Sequence, residues 1–436
     1  MNAATAANYQ GLFAHLKGVL FSADFKVRHR RHEHDFTRQR CLPFTIVVLF
    51  LLNLVKRALQ DELDEFFKLQ HGEAVAVRVV TKSAFSQARQ KLDYTAFVEL
   101  NRAQVTYFYD QFTPRTWHGF RLVAIDGSTS ELPRTPEILA HFGGWQPAQG
   151  DPCPVARVSQ LFDVLNGVTL DALIAPKAVG ERDLAAQHLV HLQAGDLALV
   201  DRGYPAFWLF AQFRVQDLQF CARMKLSGWH VVERFVASGQ AEQNVTIRPC
   251  PAAQAECRAR HLPTTPLTVR LIRVELASGE VEVLLTSLVD GQRYPLALFK
   301  DLYHLRWLEE EDYKALKCRI EVENWSGKSV LAVYQDFHAK VFTRNLTAIL
   351  AQPAQAVVQQ ASQGKKYTYQ INMTNAYSKM KDTIVLLFQR VFNLPLLQRL
   401  WQGFTQTVEP IRPGRSYPRQ QRVKPRRFPM AYKPSR

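Results

Sequence analysis

Acid is what this sequence is short of. Its 436 residues hold 39 Asp and Glu against 55 Lys and Arg, a net charge of +16. Such an excess argues against a cationic partner and points to an anionic one, with nucleic acid the commonest. Cysteine is scarce too. The six, at 41, 153, 221, 250, 257 and 318, form no CxxC pair. That excludes a disulfide framework or zinc ribbon and fits a reducing cytoplasm. Long apolar runs are missing. The longest, "FTIVVLFLL" at 44–52, is about half of a membrane span, so it predicts a buried helix and no membrane partner. The opening "MNAATAANYQGLFAHLK" lacks the basic region, apolar run and cleavage site of a signal peptide, so a cytoplasmic chain is expected.

What is present suffices for globular folding. Hydrophobic residues make up 47%, and the length suggests several structural units. Residues 1–115 read as a helical, DNA-binding region. The segment "KVRHRRHEHDFTRQR" at 26–40 is dense in positive charge and suits phosphates or solvent. Its histidines, His29, His32 and His34, have no partner cluster at metal-ligand spacing. "VTKSAFSQARQKLDYTAFVELNRAQ" at 80–104 has apolar residues at helical spacing and a cap at Thr81 or Ser83. It is a helix-turn-helix or a plain helical hairpin.

The pattern changes in 116–350. "FRLVAIDG" is a short apolar run ending in an acid and a glycine. Two strand-like runs flank Asn166-Gly167, a hairpin signal. "GERDLAAQHLVHL" is helical, "GDLALVDRGYP" a buried strand, "AFWLFAQFRVQ" helical and "LQFCARMK" a strand. This order predicts an α/β core with a mixed sheet flanked by helices. A β-rich insertion follows at about 226–290, its alternating runs flanking "ASGE" at 277–280. Residues 351–410 read as a helical C-terminal region. Residues 411–436 contain nine Lys/Arg, five Pro and no acid, and predict a disordered basic tail. Without them the body still has 46 Lys/Arg against 39 acids.

Two carboxylates share one context. Asp126 in "VAIDGST" and Asp201 in "ALVDRGY" each end an apolar run just before a turn. Strand ends are where sites collect in an α/β sheet. Two carboxylates on neighbouring strand ends repel unless cations lie between them. A third acid comes from "YHLRWLEEEDYKALK" at 303–317. On a continuous helix, at about 100° per residue, Tyr303, Arg306, Glu310 and Lys317 fall on one narrow face. Glu309 and Glu311 fall off its edges and Asp312 nearly opposite, with Leu305, Leu308 and Leu316 on the far side. A carboxylate among cationic and hydroxyl phosphate binders is what a metal-dependent phosphodiester site needs.

The spacing Tyr-x2-Arg-x3-Glu-x6-Lys, met by Tyr303, Arg306, Glu310 and Lys317, resembles the signature of the IS4-type DDE transposases. "IDGST" and "VDRGY" resemble that family's two aspartate blocks, and "SAFSQARQKL" at 83–92 resembles a stretch of its N-terminal region. The resemblance runs over roughly residues 25–350. It implies an RNase H-like catalytic core with a β-rich insertion between the second Asp and the Glu. It makes Asp126, Asp201 and Glu310 the catalytic metal ligands for two Mg²⁺ ions, with Mn²⁺ as a substitute. Tyr303, Arg306 and Lys317 become contacts to transposon-end phosphates, and Arg202, Arg223 and Lys225 are further candidate DNA contacts. The partners implied are double-stranded DNA, as element ends and as target, and a second copy of the chain in a synaptic homodimer. The location implied is the bacterial cytoplasm, at the nucleoid.

The pattern departs from the family at one point. Some members carry an aromatic just before the "LLTS" block, here 284–287, where the matching position is Glu282. Trp229 in the same insertion is an alternative. The reading is a cut-and-paste transposase of an insertion sequence. Its rivals are a nuclease of the same fold without strand transfer and a decayed copy that only binds DNA. A glycosidase with paired carboxylates fits the acids but not the positive charge.

Overall fold

The computed structural model describes residues 3–38, 40–147, 150–276, 279–391, 393–412 and 433. The expected basic tail, 411–436, therefore lies outside the described residues except at 411, 412 and 433. The chain divides into two compact units. The first comprises 1–113, 130–156 and 314–436, and the second 114–129 and 157–313.

The first unit is helical. Its longest element, Val330–Gln360, starts at Ser329, whose side chain accepts from Ala332 N. This is the usual way to satisfy a first-turn amide. The apolar run at 44–52 forms the buried helix Phe44–Leu52, as expected. Among the described residues no helix is long and apolar enough to cross a membrane. Of the two candidate caps, Thr81 opens Lys82–Arg89, accepting from Ala84 N. A helix at Thr95–Gln111 follows after a short turn. C-terminal helices Met373–Met380, Thr383–Gln389 and Leu394–Thr405 complete the unit.

The sheet is mixed. In chain order its strands are β1 (Arg121–Glu131), β2 (Gly144–Trp145), β3 (Cys153–Asp163), β4 (Val168–Pro176), β5 (Asp196–Val200), β6 (Gln219–Met224), β7 (Glu242–Ile247), β8 (Leu267–Glu275) and β9 (Val281–Thr286). Their spatial order is β4-β3-β1-β5-β6-β9-β8-β7, with the short β2 also on β3. β1 and β5 run parallel, as do β5 and β6, while β6–β9, β9–β8 and β8–β7 are antiparallel. Such order, with helices between the parallel strands, is the RNase H-like class expected from sequence. The hairpin forms at Asn166-Gly167. Gly167 takes the positive φ of +66° that only glycine adopts at no steric cost, and Asp163 Oδ1 accepts from the Leu165 and Asn166 amides.

β5 is buried at every position, as a central parallel strand covered on both faces should be. Leu122, Ala124, Leu197, Leu199 and Phe162 share one core with Phe299, Leu302 and Tyr303 from the helix Leu298–His304. Each large apolar side chain so buried contributes roughly 1.5–3 kcal/mol, so this core fixes the strand ends against the helix. β9 pairs directly with β6, so β7–β9 extend the main sheet, with helices His230–Ser238 and Pro251–Ala259 among them.

Candidate active site

The sheet register brings the two aspartates together. The last β1–β5 pair is Ile125 with Val200. The next residues are Asp126 and Asp201, on parallel strands about 4.8 Å apart. Asp126 Oδ1 accepts from the Gly127 amide at 2.8 Å. A Cβ on Gly127 would meet Glu181 Cγ and Tyr204 Oη at 3.3 Å, so the position favours glycine; the turn expected after Asp126 is absent, since β1 runs on through Gly127 to Glu131. Asp201 Oδ1 is buried and accepts no hydrogen bond.

The segment carrying Glu310 is not the continuous helix expected. It is broken into Leu298–His304 and Trp307–Lys314, followed by a π-helical turn, Ala315–Arg319. At the break the Leu305 amide is shared between the Asp301 and Leu302 carbonyls, and the Arg306 amide goes to Tyr303 O at 3.1 Å. The following Leu308 and Glu309 amides also bond three residues back. This tighter winding rotates the later residues relative to the ideal wheel. Leu308, expected on the far side, is 43% exposed, while Glu309 and Asp312, expected off the face, are 0% and 2% exposed.

The break leaves Arg306 as the hub. It is 3% exposed, with Nη2 on Glu310 Oε1 at 2.8 Å and Nη1 facing Asp126 Oδ2 at 3.6 Å. Asp126 and Glu310 thus meet through one guanidinium. Burial pushes the Asp126 carboxyl up to about 6. The Gly127 amide and Arg306 pull it down, and Asp201 and Glu310 push it up again. Asp126 therefore feels the charges of both Asp201 and Glu310. Tyr303 is 5% exposed, with its hydroxyl turned to Val200 O at 3.4 Å. It joins the broken helix to the end of β5. Lys317 lies in the π-helical turn, outside this unit, and is half-buried.

Arg202, Arg223 and Lys225 come together, lining one cleft of about 250 Å³ with Ser227, Glu280 and Glu282. Glu282, the acid at the family's aromatic position, pairs with Arg223 at 2.8 Å. Trp229 is half-buried and packs obliquely on Phe210, with ring centroids 6.1 Å apart.

Several neighbours of the site escape a sequence reading. Glu309 is fully buried, neither oxygen holds a hydrogen bond, and burial together with Asp126 and Asp312 drives its carboxyl well above the ordinary range. Tyr313 Oη donates to Asp126 O at 2.9 Å. Its position three residues after Glu310, one turn on, was the available signal. Ser159, Asp171 and His188 had none, being brought together only by the sheet.

In kind the donors fit a divalent cation. They are hard carboxylate oxygens, mutually repelling, with one buried oxygen still open. They are not closed around a common point: among the described residues no three His, Cys, Asp or Glu side chains are gathered tightly enough to hold a metal, and Arg306 bridges Asp126 and Glu310.

The model of the transposase DDE domain matches residues 117–346, just over half of the chain. This protein belongs to that family of DDE transposases. It is of the IS4 type: it is 25% identical over 363 residues to the transposase InsG for insertion sequence element IS4 of Escherichia coli (strain K12), covering 82% of this chain and 80% of that relative. Among solved structures it is similar to a chain of the piggyBac transposase synaptic complex with hairpin DNA, at a TM-score of 0.47 and 9% identity, over 90% of this chain and 84% of the other.

Proposed function

We propose that this chain cuts the phosphodiester bonds at the ends of its own insertion sequence and joins the freed 3′ hydroxyl to target DNA. The observation that carries the reading is the register that sets Asp126 beside Asp201, with Glu310 tied to Asp126 through Arg306. Asp126, Asp201 and Glu310 would hold two divalent ions, Mg²⁺ or in substitution Mn²⁺. When bound, such ions supply charge stabilisation to the phosphoryl group and acidify water.

The chain's own groups do the rest. Arg306 holds Asp126 and Glu310 in place while no metal is present. Its guanidinium fork also suits a phosphate, so DNA and metal together would exchange one set of its partners for another. Arg202, Arg223 and Lys225 line a cleft that suits a DNA backbone, and Lys317 would add a phosphate contact. Tyr303, with its hydroxyl on Val200 O, anchors the helix, so its contact with DNA would need that bond to open. The N-terminal helices and the basic tail would add sequence-independent affinity. Two copies would pair the element's two ends.

The test is cleavage and strand transfer with purified protein and DNA bearing the element's ends. The expected result is Mg²⁺-dependent nicking at the ends, followed by joining to target, both lost in Glu310→Gln. Nicking without joining would make the protein a nuclease, and end binding without nicking at any metal concentration would overturn the reading.

A further inference from the structure

Beyond Ile125 the strand β1 has no β5 residue in register, because β5 ends at Val200. On its other edge β1 pairs with β3, and its even-numbered positions face that way, with Leu122 O accepting from Val164 N and Leu132 N donating to Pro154 O, so the carbonyl of Asp126 faces β3. Two side-chain hydroxyls converge on that carbonyl. Tyr313 Oη lies at 2.9 Å and Ser159 Oγ at 3.4 Å. Tyr313 stands on the helix that carries Glu310. Ser159 is on β3 and is backed by a buried chain. His188 Nε2 is 2.9 Å from Ser159 Oγ, and His188 Nδ1 is 2.7 Å from Asp171 Oδ2. His188 is 0% exposed, Ser159 1% and Asp171 9%.

The Asp171–His188–Ser159 order matches that of a hydrolase triad, but its burial leaves no path for a substrate to Ser159. The proton count shows another use. A carboxylate accepts only, so His188 Nδ1 carries the proton toward Asp171. In the neutral ring Nε2 then accepts, and the Ser159 hydroxyl donates to it. The longer 3.4 Å contact to Asp126 O leaves Tyr313 as the main donor to that carbonyl, with Ser159 packed behind it.

We infer that Tyr313, supported by the buried Ser159–His188–Asp171 chain, is a positioning device that sets the spacing between β1 at Asp126 and the helix bearing Glu310. Neither Tyr313 nor the chain touches the reacting atoms. Their work is to pin the backbone of Asp126, so that its carboxylate and that of Glu310 close on a cation at a small cost in rearrangement. Mg²⁺ demands near-ideal octahedral geometry, so it is sensitive to this spacing. The inference rests on the metal-ligand reading above.

The test uses the full chain and Mg²⁺ alone as the probe, with two readouts. One is the Mg²⁺-induced rise in melting temperature of the protein without DNA. The other is the Mg²⁺ concentration for half-maximal end cleavage. Tyr313→Phe should raise that concentration roughly fivefold or more, the scale of one lost hydrogen bond, and shrink the Mg²⁺-induced melting shift. End binding without metal should stay parental. Ser159→Ala should do the same more weakly, because Ser159 only packs behind the carbonyl that Tyr313 holds. His188→Gln risks misfolding, and Ser159→Ala keeps that arm of the test readable. Parental Mg²⁺ dependence in Tyr313→Phe, with cleavage lost in Glu310→Gln, overturns this inference alone. Parental cleavage in Glu310→Gln overturns the site on which it rests.

Discussion

Arg89 in the first unit and Arg306 in the second are buried alike, 5% and 3% exposed, yet their surroundings differ. Arg89 is saturated. Its Nε reaches Gln335, its Nη1 reaches Ser326, and its Nη2 reaches Ala332 O and Asp336. Its carboxylate partner is saturated too, since Asp336 accepts from Ser326 N and Oγ. Arg306 has a buried Nε with no hydrogen bond. It serves Asp126 and Glu310 together, with Asp201 also close enough to favour its charge. One cluster has a cation for its acid and every polar atom used. The other has more acid than cation and atoms to spare. A finished cluster holds a fold together; an unfinished one awaits a ligand.

The largest effect that can break this comparison is on chemistry. Asp126→Asn removes a carboxylate from the crowded cluster while keeping its shape. End cleavage should fall at least a hundredfold to a thousandfold, roughly the loss seen when one preorganised charge-stabilising group is removed. Stability without metal should hold or rise, because a repulsion among Asp126, Asp201 and Glu310 is gone. Chemical denaturation beside the cleavage assay checks both. A variant that unfolds readily would put Asp126 in the structural class with Asp336.

The next effect is on stability. Arg89→Ala strands Asp336 in the interior and should cost about 3–5 kcal/mol, as breaking a buried ion pair does. Urea unfolding measures it. Residual folded protein should still cleave, since Arg89 is remote in role from the acids. The sequence "SAFSQAR" resembled a family stretch, and the structure explains why its arginine is there: it clamps the helix Lys82–Arg89 onto Val330–Gln360.

How far the sequence could be read follows from the same physics. The apolar runs ending at Asp126 and Asp201 are local signals, and a parallel register converts them directly into neighbours. Arg306 and Glu310, four residues apart, still meet at 2.8 Å beside the helix break. What failed was the phase beyond it. A wheel assumes uniform winding, and three-residue hydrogen bonds at 305–309 turned Glu309 and Asp312 inward. Nothing in a single sequence announces such a break, since no Pro or Gly marks it. The Ser159–His188–Asp171 chain was illegible for another reason. Its members lie on two strands and a helix end, so only the assembled sheet creates it.

A smaller effect sharpens the structural side of the comparison. Lys340 belongs to the finished neighbourhood. It is 3% exposed and donates to the carbonyls of Glu321, Val322 and Asn324. Burial lowers its ammonium from 10.5 to about 7, against the pull of Asp336. Between those values the unfolded chain binds the proton and the folded chain does not, so this residue makes stability rise with pH. Lys340→Met should flatten that rise. Unfolding free energies at about pH 6, 8 and 10 test it, and an unchanged slope in the variant would assign the rise to other groups.

The smallest expected effect on cleavage lies one residue from a proposed metal ligand. Glu309 and Glu310 are neighbours in sequence with opposite surroundings. Glu310 is tied to Arg306 at 2.8 Å with its side chain 28% exposed. Glu309 is sealed, with burial as the main force raising its carboxyl well above 4.5. A carboxyl so raised is neutral through the acid range, and glutamine is its near-isostere. Glu309→Gln should therefore keep cleavage within about threefold of the parent, well under the 1.4 kcal/mol that corresponds to tenfold. Its mark should be on stability. In the parent the unfolded chain loses the Glu309 proton above about pH 4.5 while the folded chain keeps it, so that contribution is present at low pH and fades as pH rises. The variant should match the parent near pH 4 and become the more stable of the two toward neutrality. Denaturation curves across that range decide it. If Glu309→Gln instead abolishes cleavage and Glu310→Gln does not, the acid that belongs with Asp126 and Asp201 is the buried one. Arg306 would then be bridging the wrong pair.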